Sequence, residues 1–314
     1  MNDQLSIRVA WLYYLENLTQ AEIGERLGLT RARVNRMLAE ARESGLVRIS
    51  LNSSLAECVA LEQALKQKCN LRDAVVVPTP ADPDTATAVV GMAAGDYLSR
   101  FLENHRLSTI GIGWGSTLRE TIRHVTPASY PDLWITSMMG GLSRGLELNT
   151  FEIAGDLART LQAQCSYLAA PIYAGSQRSR DTILAQEVFK DVLERIDSVE
   201  LALLSLGDLS RRSLLVRHGL PSDVSAEDLR AAGAVGDVLG QYLDANGKPI
   251  SHGINRRAIA PPLDRLGKIP TVMLIAGGLN KAPIIAAALR GRIGGVLVTD
   301  EKTAAAALAL IDKK

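Results

Sequence analysis

The chain has 314 residues, 35 lysines and arginines against 34 acids, 47% hydrophobic residues and 22% charged ones. That length exceeds one ordinary domain and predicts a small unit beside a larger one, while the near-zero net charge means that any nucleic-acid surface must be local. Cys58, Cys69 and Cys165 lack metal-ligand spacing and read as free thiols of a reducing, cytoplasmic setting, and no apolar run is built as a signal peptide or long enough to span a membrane.

Residues 1 to about 52 read as helical. The stretch LTQAEIGERLGLTRARVNRMLAEARESGLVRI, from Leu18 to Ile49, predicts two short helices joined at Gly28-Leu29 and then a strand over 47–51. Thr19 and Glu22 have the spacing of a capping box. A small residue at Gly24 lets helices cross closely, and Gly28 supplies the backbone freedom of a tight turn. Ile23, Leu27, Val34 and Leu38 then fill a shared core, and Thr30 caps the second helix. This is helix-turn-helix spacing.

The second helix presents Arg31, Arg33, Asn35 and Arg36 near its amino end, the end that a recognition helix pushes into the major groove. Arginine pairs bidentately with guanine and asparagine with adenine, which points to Arg33, Asn35 and Arg36 for base edges. Gln20, Thr30 and Arg31 are the candidates for the phosphate backbone. The alternatives are that Arg31 and Arg33 only clamp phosphates, or that the face is merely solvated. Glu22, Glu25, Glu40 and Glu43 avoid the Thr30–Arg36 segment, so the positive footprint is small. One copy should bind DNA weakly, and paired half-sites on an oligomer would supply the affinity. The strand after Gly45 is either a wing or a connection.

Next comes a junction at Asn52-Ser53-Ser54 and a helix with Leu55, Cys58, Leu61 and Leu65 on one face. That stripe fits dimerisation and packing on the larger unit equally well. From Ala74 onward, short apolar runs end in Gly, Ser or Asp: AVVVP, TIGIGWG, LWITSMMGG, LALLSLGDL, TVMLIAGG and GGVLVTD. Helical stretches at 87–102, 116–124, 151–163 and 282–289 separate most of them. Alternating strands and helices predict a mostly parallel α/β domain. The expected organisation is a helix-turn-helix domain over 1–52, a linker helix over 53–70, and an effector-binding and oligomerisation domain over 71–314.

Ligands in such sheets sit beyond the carboxyl ends of the strands. TIGIGWGST ends a strand and opens a helix at Ser116. Backbone amides there, with the Ser116 and Thr117 hydroxyls, suit an anionic or hydroxyl-rich ligand, and Gly113 and Gly115 allow close approach. It is not a dinucleotide fingerprint, since Ser116 stands where the third glycine belongs. Gly140 and Gly141 permit similar approach after the next strand, with Arg144 as a possible cation nearby. The four histidines show no metal spacing, no general acid–base pair stands out, and neither cofactor nor metal is expected.

Five segments, QAEIGERLGLTRARVNRMLAEARESGLV, IGIGWGSTL, MMGGLSR, GAVGDVLGQYLDANG and GGLNKAPIIAAALRGRIGGVLVTDE, resemble the SorC family of bacterial sugar-responsive transcription regulators over almost the whole chain. IGIGWG and GGLSR resemble the branch that includes regulators of erythritol and other polyol operons. The resemblance implies an N-terminal helix-turn-helix, a C-terminal domain folded like the phosphosugar isomerases, and a homotetramer whose grip on operator DNA is set by a sugar, sugar phosphate or polyol. It also implies that Asn149, Asp237 and Lys281 match pocket positions. A helix cap for Asp237 and a solvated first-turn lysine for Lys281 are the alternatives. Some phosphosugar-sensing members carry Arg where this chain has Met139, which argues against a doubly phosphorylated ligand. The function expected is therefore regulation of a carbohydrate or polyol operon. The competing readings are a phosphosugar isomerase with a helical oligomerisation domain, and a metabolite-binding adaptor without DNA affinity; an isomerase-like fold does not by itself imply turnover.

Overall fold

The structure is a computed structural model that describes residues 3–47, 56–142 and 149–313. It divides into two compact units, Met1–Leu51 and Asn52–Lys314.

In the first unit, α1 (Asp3–Tyr14), α2 (Gln20–Leu27) and α3 (Arg31–Glu43) enclose a core of Val9, Leu12, Ile23, Val34, Met37 and Leu38, with Leu27 partly buried beside it. Burying each large side chain is worth about 1.5–3 kcal/mol, so six of them outweigh the modest propensities of three short helices. The capping box forms: Glu22 Oε2 accepts from Thr19 N at 2.7 Å, and Thr19 Oγ1 accepts from Glu22 N at 3.3 Å. Thr30 Oγ1 caps α3 by accepting from Arg33 N at 3.2 Å. Gly28 has φ +67°, the left-handed conformation that ends α2. Gly24 serves a different close approach from the one expected: a Cβ there would lie 2.6 Å from the Leu29 carbonyl oxygen, so it is the inter-helix turn that folds back onto it. The strand expected over 47–51 lies, apart from Val47, outside the described residues, as do the Asn52-Ser53-Ser54 junction, Leu55 and Arg144.

In the second unit, α4 (Ala56–Cys69) buries Cys58 and Leu65 against the α/β body. Lys66 pairs with Asp73 at 3.2 Å, and Glu62 Oε1 accepts from Val76 N at 2.9 Å. The apolar stripe of this helix is thus used for packing on its own unit.

The strands are β1 (Asp73–Val77), β2 (Thr109–Ile112), β3 (Trp134–Ser137), β4 (Gln164–Ser166), β5 (Leu201–Gly207), β6 (Gly236–Val238), β7 (Gln241–Leu243), β8 (Thr271–Ile275) and β9 (Val296–Asp300). The main sheet runs β1-β9-β8-β5-β2-β3-β4 and is parallel throughout. Central strands such as β2, β8 and β9 are buried at every residue, as expected when helices cover both faces. Chain order reverses between β2 and β5: β3 and β4 extend the sheet one way, and β5, β8 and β9 the other. A parallel sheet opens a crevice at such a switch point. The antiparallel hairpin β6–β7 attaches at the carboxyl end of β5, through Leu206↔Val238 and Gly207↔Asp237. Helix α5 (Ala86–Asn104) packs on α6 (Ser116–Arg123), and α7 (Thr150–Leu161) packs on β3.

No helix of the described residues is long and apolar enough to cross a membrane. Among those residues no group of three or more His, Cys, Asp or Glu side chains is placed to hold a metal.

Candidate functional sites

The first site is the outer face of α3. Val34, Met37 and Leu38 point into the core, which leaves Arg31, Arg33, Asn35 and Arg36 exposed. The helical period itself makes this separation. Arg36 Nε lies 3.7 Å from Glu40 Oε1, an exposed i,i+4 pair of small worth. Gln20 Nε2 donates to Asn35 Oδ1 at 3.3 Å, which ties the start of α2 to α3. Reading adenine needs both the oxygen and the nitrogen of the asparagine amide; the bond leaves the nitrogen and one lone pair of the oxygen for it. Arg31 and Arg33 make no ion pair among the described residues, which leaves their guanidinium groups available.

The second site is a cleft of about 240 Å³ at the switch point of the sheet. Its walls come from six places: residues 83–87 at the start of α5, the β2–α6 turn (Gly113 to Thr117), the end of β5 (Ser205 to Asp208), the segment Arg212 to Leu215, Asp237 and Leu239 of the hairpin, and the segment after β8 (Gly277 to Lys281). Arg212 and Asp84 stand at its margin, 2.7 Å apart. Gly115 has φ +126°, a conformation that side chains disfavour, and a Cβ there would also crowd Ser205 Oγ at 2.7 Å. Ser205 Oγ donates to the Trp114 carbonyl, which fixes this turn to β5.

Two carboxylates in the cleft have opposite electrostatics. Asp208 is 5% exposed. Its Oδ2 accepts from Lys281 Nζ at 2.7 Å and from Asn280 Nδ2 at 2.7 Å, and its Oδ1 accepts from Ser210 N at 2.6 Å. Burial alone would push its pKa up. The Lys281 charge and the hydrogen bonds from Lys281 and Ser210 outweigh burial and bring it down to about 2. Asp237 is 4% exposed, and burial raises its carboxyl to about 6 against the opposing Gly240 N–H bond and the more distant Lys281 charge. Its Oδ2 accepts from Gly240 N at 3.0 Å, while Oδ1 is buried without a partner. A methyl at Gly207 would overlap that oxygen, so Asp237 fits only because its strand partner lacks a side chain. The hairpin turn places Leu239 at φ +51°, costing about 1–2 kcal/mol for a non-glycine residue. Its side chain is buried against Gly113, and the Asp237–Gly240 bond holds the turn closed.

Of the eight effector candidates from sequence, Gly113, Gly115, Ser116, Thr117, Asp237 and Lys281 line this one cleft. Asp237 lies in a strand and is not a helix cap, and Lys281 is ion-paired rather than solvated. Gly141 and Asn149 do not line it. Asn149 is buried, accepting from Leu142 N at 3.2 Å and donating to Leu142 O at 3.1 Å, so its amide is spent on closing its own loop. Gly141 is glycine because Asn149 and Phe151 occupy the space beside it, and its N–H is bonded to Ala170 O at 2.8 Å. Asn255 likewise clamps the Tyr242 backbone, through bonds of 2.7 and 3.0 Å. The sequence reading missed Asp208, Asn280 and Arg212. The available signal for Asp208 was an acid placed directly after a fully apolar strand, in LALLSLGDL.

Comparison with known proteins gives two family matches. The family described as "Putative sugar-binding domain" matches residues 53–309, and "Sigma-70, region 4" matches residues 9–44. The chain is 29% identical to the erythritol catabolism regulatory protein EryD of Brucella abortus over 306 residues, covering 97% of this chain and 96% of that one. It is 33% identical to the transcriptional regulator LsrR of Escherichia coli strain K12 over 307 residues, 96% and 93% of the two chains. The crystal structure of the full-length sorbitol operon regulator SorC from Klebsiella pneumoniae superposes with a TM-score of 0.72 at 27% identity, covering 97% of this chain and 98% of that one.

Proposed function

The chain belongs to the SorC family of sugar-responsive transcriptional regulators, and from that premise we propose that it regulates a carbohydrate or polyol catabolic operon, with α3 reading operator DNA and the switch-point cleft binding a sugar, sugar phosphate or polyol. One observation carries the assignment of the cleft: strand ends far apart in sequence converge Ser116, Thr117, Asp237 and Lys281 on a single cavity. Hydroxyls, a carboxylate and an ammonium in one small space suit a polyhydroxylated ligand.

In this reading Arg33, Asn35 and Arg36 contact base edges, and Gln20, Thr30 and Arg31 contact the backbone. Gly113 and Gly115 give the ligand room, Ser116 and Thr117 bond its oxygens, Asp237 accepts hydrogen bonds from its hydroxyls, and Lys281 donates. The α/β unit exists in two arrangements, and the effector favours one of them, which changes how the reading helices are presented to DNA. The protein acts as a homotetramer in the cytoplasm, where paired half-sites compensate for the small cationic face of one copy. Relatives that match nearly end to end are named as regulators, and no specific observation favours the isomerase reading.

An electrophoretic mobility shift with DNA upstream of the gene, titrated with polyols, pentoses and their phosphates, tests the proposal. Effector-dependent release or tightening is expected. Asp237→Ala should retain DNA binding and lose the response; loss of DNA binding by the ligand-free variant would overturn the division of labour.

A further inference from the structure

We propose that the cleft selects an uncharged polyhydroxylated effector, and that Asp208 is the residue that turns away its phosphate ester. The inference rests on the reading of the cleft as the effector site and narrows its ligand class.

The charges that line the cleft set the argument. Among the described residues they are three carboxylates, Asp84, Asp208 and Asp237, and two cations, Arg212 and Lys281. Both cations are already partnered. Arg212 pairs with Asp84 at the exposed margin, where solvent screens both groups. Lys281 is the sheltered cation, its side chain 19% exposed, and its nitrogen lies 2.7 Å from Asp208 Oδ2. A phosphate that reached the Lys281 ammonium would therefore lie close to the Asp208 carboxylate as well, and that repulsion offsets part of the attraction. With Asp237 as a second carboxylate on the same cleft, the balance turns against an anion.

Asp208 cannot simply swing aside. Its Oδ1 is held by Ser210 N, and its Oδ2 is shared between Lys281 and Asn280. The amino end of α6 offers a phosphate about half a positive charge. That is less than the full negative charge carried by either buried carboxylate.

Hydroxyl groups meet the opposite situation. Asp237 lines the cleft as an acceptor: its Oδ2 takes the Gly240 N–H and has lone-pair capacity left, while its Oδ1 is turned toward Gly207 and closed off. A hydroxyl donates to Oδ2; a phosphate ester keeps its other hydroxyls but adds negative charge that this carboxylate repels. Lys281, fixed by Asp208, keeps N–H groups for a hydroxyl oxygen without needing a compensating anion.

The test is isothermal titration of the full-length chain at pH 7.5 with matched pairs: erythritol and erythritol 4-phosphate, ribitol and ribitol 5-phosphate, D-sorbitol and D-sorbitol 6-phosphate, D-ribose and D-ribose 5-phosphate. In every pair that binds, the uncharged member should be tighter by about tenfold or more. Asp208→Asn, which frees Lys281 and removes one carboxylate, should move that ratio toward the phosphate by about tenfold. A phosphorylated member that equals or beats its partner on the unaltered protein overturns the inference while leaving the effector site standing. An unchanged ratio in a folded Asp208→Asn protein removes Asp208 from the role. If that variant does not fold, the ratio on the unaltered protein decides alone. Silence from every pair sinks the reading of the cleft as an effector site, and this inference with it.

Discussion

Asp237→Asn should stabilise the ligand-free protein at neutral pH and do nothing for it in acid. Burial moves the Asp237 carboxyl from an ordinary 3.8 to about 6. At about 1.4 kcal/mol for each tenfold change in proton affinity, the ionised carboxylate costs the folded state about 3 kcal/mol. The sign follows from linkage. A carboxyl whose folded pKa is raised favours the fold while it is protonated, fully so below 3.8, and that advantage is lost as pH rises through about 6. Asparagine has no such dependence, and its amide oxygen can still accept from Gly240 N.

The groups around Asp237 leave this window clear. Asp208 is held down to about 2 by the balance that favours its ion pair, and burial pushes the Tyr173 and Tyr242 hydroxyls upward. The Lys281 ammonium is common to both proteins. Urea unfolding of both chains at fixed protein concentration, at pH 4, 5, 6 and 7.5, measures the difference directly; titrations shared by the two cancel in it. The gap should be near zero at pH 4 and approach about 3 kcal/mol in favour of the variant at pH 7.5. A flat gap, or a variant less stable than the parent at pH 7.5, would show that Asp237 is not a desolvated carboxylate held for a ligand. The same substitution should weaken effector binding, a trade of function against stability.

Gly207→Ala forces a methyl into Asp237 Oδ1, so it should lower stability by about 1–3 kcal/mol and weaken effector binding while operator DNA is still bound; melting curves and a mobility shift check it. Gly24→Ala pushes a methyl toward the Leu29 carbonyl, which should disrupt the helix-turn-helix and abolish DNA binding but leave polyol binding by the α/β unit intact by calorimetry. Arg33→Ala should cost about 1–3 kcal/mol on operator DNA and less on unrelated duplex, as loss of a base-edge contact does. Arg31→Ala should instead weaken all duplexes alike and reduce the slope of log affinity against log salt by about one, which a salt-titrated binding assay separates.

What the sequence determined by itself is everything governed by neighbours three or four residues apart, or by one continuous apolar run. Thr19 and Glu22 close their box, Gly28 takes its left-handed turn, and the period of α3 turns Val34, Met37 and Leu38 inward and the arginines outward. Strands β2, β3, β5, β8 and β9 fall within the predicted apolar runs for the same reason, and β1 begins one residue before its own. Tertiary structure alone decided which strand ends would meet. Only the order β1-β9-β8-β5-β2-β3-β4 sets Asp208 and Lys281 beside Ser116 and Thr117, and nothing local encodes a pairing between strands about ninety residues apart. It also decided how polar side chains are spent. Asn149 and Asp237 both stand near strand or loop ends and look equally available in a sequence. The first is satisfied by the Leu142 backbone, and the second keeps an unpartnered oxygen because its strand neighbour is a glycine. How much of a group's hydrogen-bonding capacity is left for a ligand depends on contacts made across the whole chain.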